Sequence, residues 1–225
     1  MITTSNALMT GGTGFVGSWM VKKRPPDINV GIMNSDTYNK WPILEDIENM
    51  QYIIHLAPVP PTRAIACAKR LGARLLYASS GIVYHPENDT EYRRAKLDGE
   101  RECLDSGVDV VIARLFTFMD SSRVWKAMFN AARNGGPLFV HIDSQYGDAV
   151  RSFMHGSEMA RWMWAILLRG ESGDVYDVGS DNVYSITQFA ERIQAFTGCE
   201  FAYISECIPV PVYLPEDMAK TRALL

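Results

Sequence analysis

The stretch that decides the fold is "TGGTGFVGS", residues 10–18, which lies between two apolar segments. The preceding "NALMT" predicts a strand, and the following "FVGSWMVKK" predicts a helix. Pro25 and Pro26 must end that helix, because proline cannot donate the next helical hydrogen bond. A strand, a glycine-rich turn and a helix in this order begin a βαβ unit, so the turn predicts a parallel sheet.

The glycines of this turn satisfy two spacings, Gly12-x-Gly14-x-x-Gly17 and Gly11-x-x-Gly14-x-x-Gly17. Glycine in such a turn permits a positive φ, lets a diphosphate approach the backbone and lets the helix pack closely on the strand. A phosphate would sit at the amino terminus of the helix, where amide groups and the helix dipole favour an anion. Because the motif follows a predicted strand and opens a predicted helix, it indicates dinucleotide binding more than a plain turn.

Apolar runs recur along the first half of the chain and alternate with predicted helices. Strands are predicted at "INVGIM", "YIIHLA", "RLLYAS" and "DVVIARLF", and helices at "WPILEDIENM", "RAIACAKRLG" and "YRRAKLDGERECLDSG". Runs bounded by helices indicate strands that are covered on both faces. The predicted fold is α/β, a Rossmann-like doubly wound parallel sheet over residues 1–116. Residues 117–225 are expected to form mostly a smaller C-terminal substrate-binding lobe, from which 151–180 returns to the sheet.

The second half follows a looser pattern. Helices are predicted at "SRVWKAMFNAARNGG", "GSEMARWMWAILLRG" and "SITQFAERIQAFTG", and strands at "PLFVHI" and "DVYDVGS", with a turn around Gly147.

The composition limits the kinds of molecule that the protein is expected to bind. The 225 residues are 47% hydrophobic and carry a formal net charge of -4 without long runs of one sign, which argues against a nucleic-acid or polybasic membrane surface. The four cysteines lie far apart without Cys-x-x-Cys spacing, which predicts thiols in a reducing compartment and no metal site. The amino terminus lacks signal-peptide features and no apolar run approaches a membrane span, so a cytoplasmic protein with small-molecule partners is expected.

A candidate catalytic set lies in "ASSGIVYHPENDTEYRRAKLDGE", residues 78–100. Tyr92 and Lys96 are four residues apart on a predicted helix, which places both side chains on one face. A phenol has an unperturbed pKa of about 10 and is a poor base at neutral pH, but a neighbouring ammonium favours its ionised form. The Ser80 hydroxyl, at the end of a predicted strand, would bind the same substrate oxygen and orient it for hydride transfer.

Tyr-x-x-x-Lys also occurs on solvated amphipathic helices, and "EYRRAKLDGE" is strongly charged. The dinucleotide motif upstream and the position of "YASS" at the end of an apolar strand favour the catalytic interpretation.

Several segments together resemble the extended short-chain dehydrogenases/reductases of the nucleotide-sugar epimerase/dehydratase type. These segments are "TGGTGFVGS", "IIHLA", "LLYASSGIVY", "YRRAK", "ARLF", "RSFMHGSEMA" and "DVYDVGSDNVYSI", in the family's order, and they span about residues 7–214. The resemblance implies NAD, with NADP as the other possibility, a nucleotide-sugar substrate and a homodimer.

The same resemblance assigns roles residue by residue. The catalytic residues are Ser80, Tyr92 and Lys96. The cofactor-binding residues are Gly11, Gly14, Phe15, Val16, Gly17, Asp36, Leu56 and Ala57, together with Tyr92 and Lys96. Ser80, Thr117 and Arg151 are expected to contact the substrate, and an arginine suits phosphate oxygens because its planar fork binds them in pairs.

Two departures from the family narrow the reaction. Dehydratases carry an Asp-Glu pair where this chain has Gly81 and Ile82, and decarboxylases usually keep a glutamate where Ile82 stands. Both reactions are therefore disfavoured. Thr117 replaces an asparagine that many relatives place after "R-x-F".

Several connections are shorter than in the family, notably after "HLA" and after "VYHP". "INVGIMNSD" is either the second strand, which makes Asp36 the ribose ligand, or the third, which makes it an adenine contact. The spacing from Asp36 to His55 favours the third strand and implies that the second is absent. The chain is either a compact variant or lacks internal segments of a longer protein. The second explanation is favoured, because the loss of an internal strand would leave a gap in the sheet.

The predicted activity is an NAD(P)-dependent nucleotide-sugar 4-epimerase or keto-sugar reductase. One alternative is a reductase of another carbonyl substrate. A second alternative is a non-catalytic dinucleotide-binding module, which would keep the glycine turn and need no proton shuttle.

Overall fold

The computed structural model describes residues 4–33, 48–87, 89–119, 123–142, 149–205 and 214–225. The chain divides into two compact units, of which the first comprises residues 1–115, 156–178 and 217–225, and the second comprises 116–155 and 179–216. Secondary-structure elements are numbered below along the whole chain.

The first unit is built on a parallel six-stranded sheet. Its strands are β1 (Ser5–Thr10), β2 (Ile28–Met33), β3 (Tyr52–His55), β4 (Arg74–Ser80), β5 (Val110–Leu115) and β9 (Val175–Val178), in the spatial order β2-β1-β3-β4-β5-β9. Its helices are α1 (Phe15–Lys22), α2 (Thr62–Leu71), α3 (Glu91–Asp105), α5 (Gly156–Arg169) and α7 (Met218–Arg222). The predicted Rossmann-like parallel sheet is confirmed.

Both faces of the central strands are covered, whereas the edge strand β2 has exposed residues, among them Ile32. Ile53 and Ile54 are successive residues of β3 that point to opposite faces, and both have 0% exposure. Leu75 and Leu76 of β4 show the same burial. Each such side chain contributes roughly 1.5–3 kcal/mol by leaving water. Continuous apolar runs, not alternating ones, are therefore the sequence pattern that this sheet requires.

In its described residues, the second unit contains two small sheets and two helices. Its strands are β6 (Thr117–Phe118), β7 (Leu138–Ile142), β8 (Val150–Met154), β10 (Val183–Ser185) and β11 (Phe201–Ser205), and its helices are α4 (Arg123–Arg133) and α6 (Ile186–Thr197). The sheets have the orders β10-β8-β6 and β11-β7. Helix α6 begins at a capping box formed by Ser185 and Gln188, and its Phe189 stacks on Phe153 of β8 with ring centroids 4.8 Å apart.

Most of the predicted elements are present where the chain is described. Helix α1 ends at Lys22, before the proline pair, as expected. The predicted turn around Gly147 lies outside the described residues, as does most of the helix predicted at "WPILEDIENM". Four strands, β6, β8, β10 and β11, have only two to five residues and were not predicted.

The position of β2 corrects the strand assignment made from spacing. Strand β2 pairs in parallel with β1, from Ser5 opposite Ile28 to Thr10 opposite Met33, and β3 pairs with the other edge of β1. The strand beside β1 on that side is the second strand of a doubly wound fold, so assigning "INVGIM" to the third strand is wrong. Among the described residues the absent strand is the outer one, and its absence leaves no internal gap in the sheet. Asp36 lies outside the described residues, shortly after the end of β2.

Candidate functional site

The glycine turn connects β1 to α1 in a space that admits no side chains. Gly11 has a φ of +71°, in the left-handed region, and its carbonyl accepts a hydrogen bond from the Gly14 amide at 3.0 Å. Gly14 is the N-cap of α1. A Cβ at Gly17 would lie 2.6 Å from the Gly11 carbonyl oxygen, and one at Gly11 would lie 3.0 Å from the Ala57 amide nitrogen. The turn, the start of α1 and the residues after β3 are therefore packed backbone to backbone.

A buried hydrogen-bonded pair holds the segment after β3 against this turn. His55 Nδ1 lies 2.9 Å from Thr10 Oγ1, and His55 Nε2 lies 2.9 Å from the Val59 carbonyl oxygen. A carbonyl only accepts, so Nε2 carries the proton and the threonine hydroxyl donates to Nδ1. Burial lowers the pKa of His55 to about 4, which keeps the ring neutral at physiological pH.

This pair fixes the predicted cofactor residues Leu56 and Ala57. The Leu56 amide donates to the Thr10 carbonyl at 3.2 Å, and the Ala57 amide donates to Thr10 Oγ1 at 3.4 Å. Sequence reasoning missed the role of Thr10 and His55. The signal that could have found it is that each is a polar residue at the end of an apolar strand.

The first catalytic candidate, Ser80, ends strand β4. Its side chain accepts a hydrogen bond from the Ile82 amide at 3.4 Å and so caps a short 3₁₀ helix, Gly81–Tyr84. The hydroxyl retains its proton for donation, and the residue is only partly buried.

Tyr92 and Lys96 lie on the first turns of α3, which begins after the N-cap Thr90 as expected. Tyr92 is 50% exposed, whereas Lys96 is 8% exposed. Lys96 Nζ donates to the Ala78 carbonyl of β4 at 2.7 Å and lies 5.8 Å from the centroid of the Tyr92 ring. Burial lowers the pKa of Lys96 to about 8, while the Glu100 carboxylate acts in the opposite direction. The buried Lys96 ammonium thus lies beside the exposed Tyr92 phenol. It is bound to β4 at Ala78, two residues before Ser80.

A cavity of about 280 Å³ lies beside this pair. Tyr92 and Lys96 line it together with Tyr77, the Pro58–Pro61 segment and residues of α3. A small molecule can therefore reach the exposed face of the phenol.

A network of charged and polar side chains lies behind α3. Glu100, 5% exposed, accepts from Ser79 Oγ at 2.5 Å and from the Arg114 guanidinium at 2.9 and 2.7 Å. The Arg114 guanidinium carbon lies 4.5 Å from the centroid of the Tyr84 ring, whose hydroxyl donates to Asp177 at 3.0 Å. The sequence signal for this network is the position of Glu100, four residues after Lys96 on the same helix face.

The other predicted site residues that the structure describes lie in the first turn of α1 or in the second unit. Phe15 and Val16 form the first turn of α1. In the second unit, Thr117 pairs with Phe153 on β8, and Arg151 Nη1 donates to the Val150 carbonyl at 2.9 Å.

A family model described as "NAD dependent epimerase/dehydratase family" matches residues 43–179, more than half of the chain. The chain belongs to this family. The description of the family names NAD, epimerases and dehydratases, which agrees with the resemblance found in the sequence.

Individual relatives agree with the family. The UDP-glucuronic acid decarboxylase 1 of Xenopus tropicalis is 27% identical, over 97% of this chain and 67% of the relative. The solved structure of MoeE5 in complex with UDP-glucuronic acid and NAD is 22% identical with a TM-score of 0.78, covering 98% of this chain and 92% of that one. The dTDP-glucose 4,6-dehydratase of Bacillus anthracis in complex with NAD is 18% identical with a TM-score of 0.75, covering 94% and 88%. These two structures share the fold.

The alignment with the Xenopus relative also shows how much shorter this chain is over the matched region. It runs over 285 positions, whereas 97% of the 225 residues is only about 218 residues, so roughly 67 positions of the relative have no counterpart here. In the part of the chain that the structure describes, no helix is long and apolar enough to cross a membrane.

Proposed function

We propose that the protein is an NAD(P)-dependent nucleotide-sugar 4-epimerase or keto-sugar reductase. The observation that carries the proposal is the buried Lys96 ammonium beside the half-exposed Tyr92 phenol, at the end of the strand that presents Ser80. This is the arrangement that proton transfer to or from a sugar hydroxyl requires. A plain structural helix would have no need to bury the lysine.

The residues at the end of β1 fit a dinucleotide. The glycine turn leads directly into the amino terminus of α1, whose amides suit a diphosphate, and the backbone of Ala57 lies against Gly11. When bound, NAD supplies a hydride acceptor, and NADH a hydride donor. An acid shortly after the end of β2 suits the adenosine ribose, so we assign Asp36 that role.

The chain's own residues manage the proton. The Tyr92 phenolate takes the proton of the sugar hydroxyl as hydride leaves the same carbon. Lys96, whose Nζ lies 5.8 Å from the centroid of the Tyr92 ring, supplies a positive charge beside the negative charge that develops on the phenolic oxygen. The Ser80 hydroxyl donates to the substrate oxygen and orients it. An epimerase returns the hydride to the other face of the keto-sugar, whereas a reductase begins with the keto-sugar.

The residues after Ser80 favour these two reactions over water loss. Gly81 and Ile82 lie in the 3₁₀ helix directly after the catalytic hydroxyl, where a dehydratase places an acid pair. Neither residue can donate or accept a proton, so abstraction of a proton next to the keto group lacks a base at these positions.

A second candidate is decarboxylation of UDP-glucuronic acid, because relatives up to 27% identical have that name. Oxidation of the sugar at C4, with the proton taken by the same shuttle and the hydride by NAD, would create a β-keto acid, which loses CO₂. Against it, Ile82 stands where the resemblance expects a glutamate.

In both candidates we assign Arg151 to the nucleotide phosphates and Thr117 to the sugar, as the resemblance implies. Their geometry within the second unit is compatible with this role, since both lie on partly buried strands of one small sheet.

The first experiment replaces Tyr92 by phenylalanine. The variant keeps the ring and loses the proton acceptor, so we expect turnover of the substrate to fall by about 10²–10⁴-fold with NAD affinity retained. Turnover is measured by NAD reduction or by conversion of the sugar. Tyr52 to Phe is a matched control on β3, outside the candidate site. Undiminished turnover in Y92F would refute the proposed role of the shuttle.

The second experiment separates the reactions. The purified protein is incubated with NAD and each of UDP-glucose, UDP-galactose and UDP-glucuronic acid, and in a separate reaction with NADH and a UDP-4-keto sugar. The products are identified by mass spectrometry and NMR. An epimer of unchanged mass supports the 4-epimerase. Loss of CO₂ from UDP-glucuronic acid would replace it with the decarboxylase. Consumption of NADH by a 4-keto sugar alone would identify the reductase.

A further inference from the structure

We infer that Glu100 is a positioning residue: it fixes α3 on the end of β4 and holds the Lys96 amine in its charged form. The inference rests on the proposed function, because it concerns the lysine of the same shuttle. It extends that proposal to a residue that touches neither substrate nor cofactor.

The first observation is that α3 is attached to β4 at two adjacent points. Lys96 Nζ donates to the Ala78 carbonyl at 2.7 Å, and Ser79 Oγ donates to Glu100 Oε1 at 2.5 Å. Ala78 and Ser79 immediately precede Ser80. Lys96 and Glu100 are one helical turn apart on the buried face of α3. The two attachments therefore fix the position of the helix along the strand, and with it the position of Tyr92 relative to Ser80.

The second observation is that the Glu100 carboxylate is held in place on all sides. Arg114 of β5 binds both of its oxygens, at 2.9 and 2.7 Å. A paired Arg–carboxylate contact is both strong and directional. The Arg114 guanidinium packs against the Tyr84 ring, and the Tyr84 hydroxyl donates a hydrogen bond to Asp177 of β9. Glu100 thus links α3 directly to β4 and β5, and through Arg114 and Tyr84 to β9. It is not a mobile surface acid.

The third observation concerns charge. Burial of Lys96 favours the neutral amine, and the nearby Glu100 carboxylate is the largest influence that raises its pKa against this effect. The buried anion therefore preserves the cation that the phenolate needs. Other titratable groups also surround Lys96: Tyr92, Asp98, Glu102 and Cys103 of α3, Tyr77 of β4 and His55 of β3.

Glu100→Gln tests the charge directly. In protein labelled with ¹³C-lysine, the Cε signal of Lys96 is identified by its absence in Lys96→Arg and titrated without substrate or cofactor. We expect a midpoint at about pH 8 in the parent protein and a lower midpoint in E100Q. The matched control is Asp98→Asn, which neutralises an exposed acid of the same helix that lines the same cavity. Equal midpoints in E100Q and D98N would overturn the inference.

Two further variants separate position from charge. Ser79→Ala removes one attachment and no charge, so we expect kcat to fall by about tenfold, with KM and the lysine midpoint unchanged. Glu100→Asp keeps the charge and shortens the side chain, so its midpoint should stay near that of the parent. A parent-like kcat in S79A would remove the positioning role.

If E100Q does not fold because Arg114 is left unpaired, the double variant E100Q/R114Q removes both charges. Its lysine midpoint is compared with that of Arg114→Gln, which keeps Glu100, so the two variants differ only in the carboxylate. We expect the lower midpoint in the double variant, since Glu100 is the source of the effect. Equal midpoints in these two variants would overturn the inference. The titration needs no turnover, so it can succeed even if the tyrosine experiment refutes the shuttle, and the two failures are distinguishable.

Discussion

At the scale of single residues, Lys96 is the informative side chain of the site. It is 8% exposed and its pKa is lowered from 10.5 to about 8 by burial. Folding therefore disfavours its charged form, which costs free energy at neutral pH. A residue that destabilises the fold while serving a reaction is what a catalytic assignment expects.

Lys96→Met should separate the two roles. The methionine has a similar volume and no charge, so we expect turnover to be lost while the free energy of unfolding at pH 7 is unchanged or raised, by roughly 1–3 kcal/mol at most. The measurement is urea unfolding followed by circular dichroism. A large loss of stability would instead make Lys96 a structural residue, held by its bond to Ala78.

The pH dependence of the free energy of unfolding, compared between the parent protein and K96M, gives a second test. The folded protein binds the lysine proton less tightly than the unfolded chain, so the contribution of Lys96 to stability improves as pH rises from about 8 towards 10.5. The stability difference between K96M and the parent should therefore shrink over that window. Turnover should fall in the parent as pH rises past about 8, because the ammonium is lost. A constant stability difference between pH 7 and pH 10 would contradict the assigned titration.

At the scale of elements, the glycine turn is constrained by its own backbone. Gly17→Ala would place a Cβ 2.6 Å from the Gly11 carbonyl oxygen, so α1 must move away from the turn. We expect NAD affinity to fall by at least tenfold, measured by calorimetry or by quenching of protein fluorescence.

Gly31→Ala is the matched control for this variant. Gly31 lies on the adjacent strand β2, and its Cβ would meet nothing closer than 3.7 Å. This substitution should leave NAD affinity within a factor of about two, since it makes only ordinary van der Waals contacts. Similar losses in G17A and G31A would show that the turn has no special role in binding.

The elements also show which patterns are readable in a sequence. Strands β1, β3, β4 and β5 were predicted because a sheet covered on both faces imposes apolar runs. Strand β2 was also predicted from its apolar residues, although as the edge strand it is partly exposed. Strands β6 and β10 have two and three residues, too few to show a period, and they exist through pairing with β8. The position of β2 in the sheet could not be inferred from the number of residues between the segments, because that number does not say which strand is absent.

At the scale of the whole molecule, binding of NAD should raise thermal stability. A ligand at one hundred times its dissociation constant stabilises the folded state by about 2.7 kcal/mol. For a chain of this length we expect a rise in Tm of about 5–10 °C, measured by calorimetry. Equal concentrations of AMP provide the control, and G17A should show a smaller rise. An unchanged Tm at saturating NAD would count against a cofactor site.

The whole molecule also shows how the fold accommodates its short connections. Roughly 67 positions of the Xenopus relative, by the alignment lengths, lack a counterpart, yet the six described strands of the main sheet are contiguous. Among the described residues β2 is the outermost strand, so a strand absent beyond it leaves no partner unpaired on its far side. The core between α2, α3 and the sheet is retained, with Cys67, Leu75 and Cys103 each at 0% exposure.

The sequence by itself determined the parallel sheet, the glycine turn and the candidate set of Ser80, Tyr92 and Lys96, because apolar runs, turn chemistry and helical spacing are properties of neighbouring residues. Only the tertiary structure decided that β2 lies beside β1, that Lys96 is buried while Tyr92 is exposed, and that Glu100 is bound by Ser79 and Arg114. Burial and the partners of a charge depend on which segments pack together, and residues distant in sequence set both. The opposite exposures of two side chains one turn apart on the same helix follow from that packing, and they are the basis of the proposed chemistry.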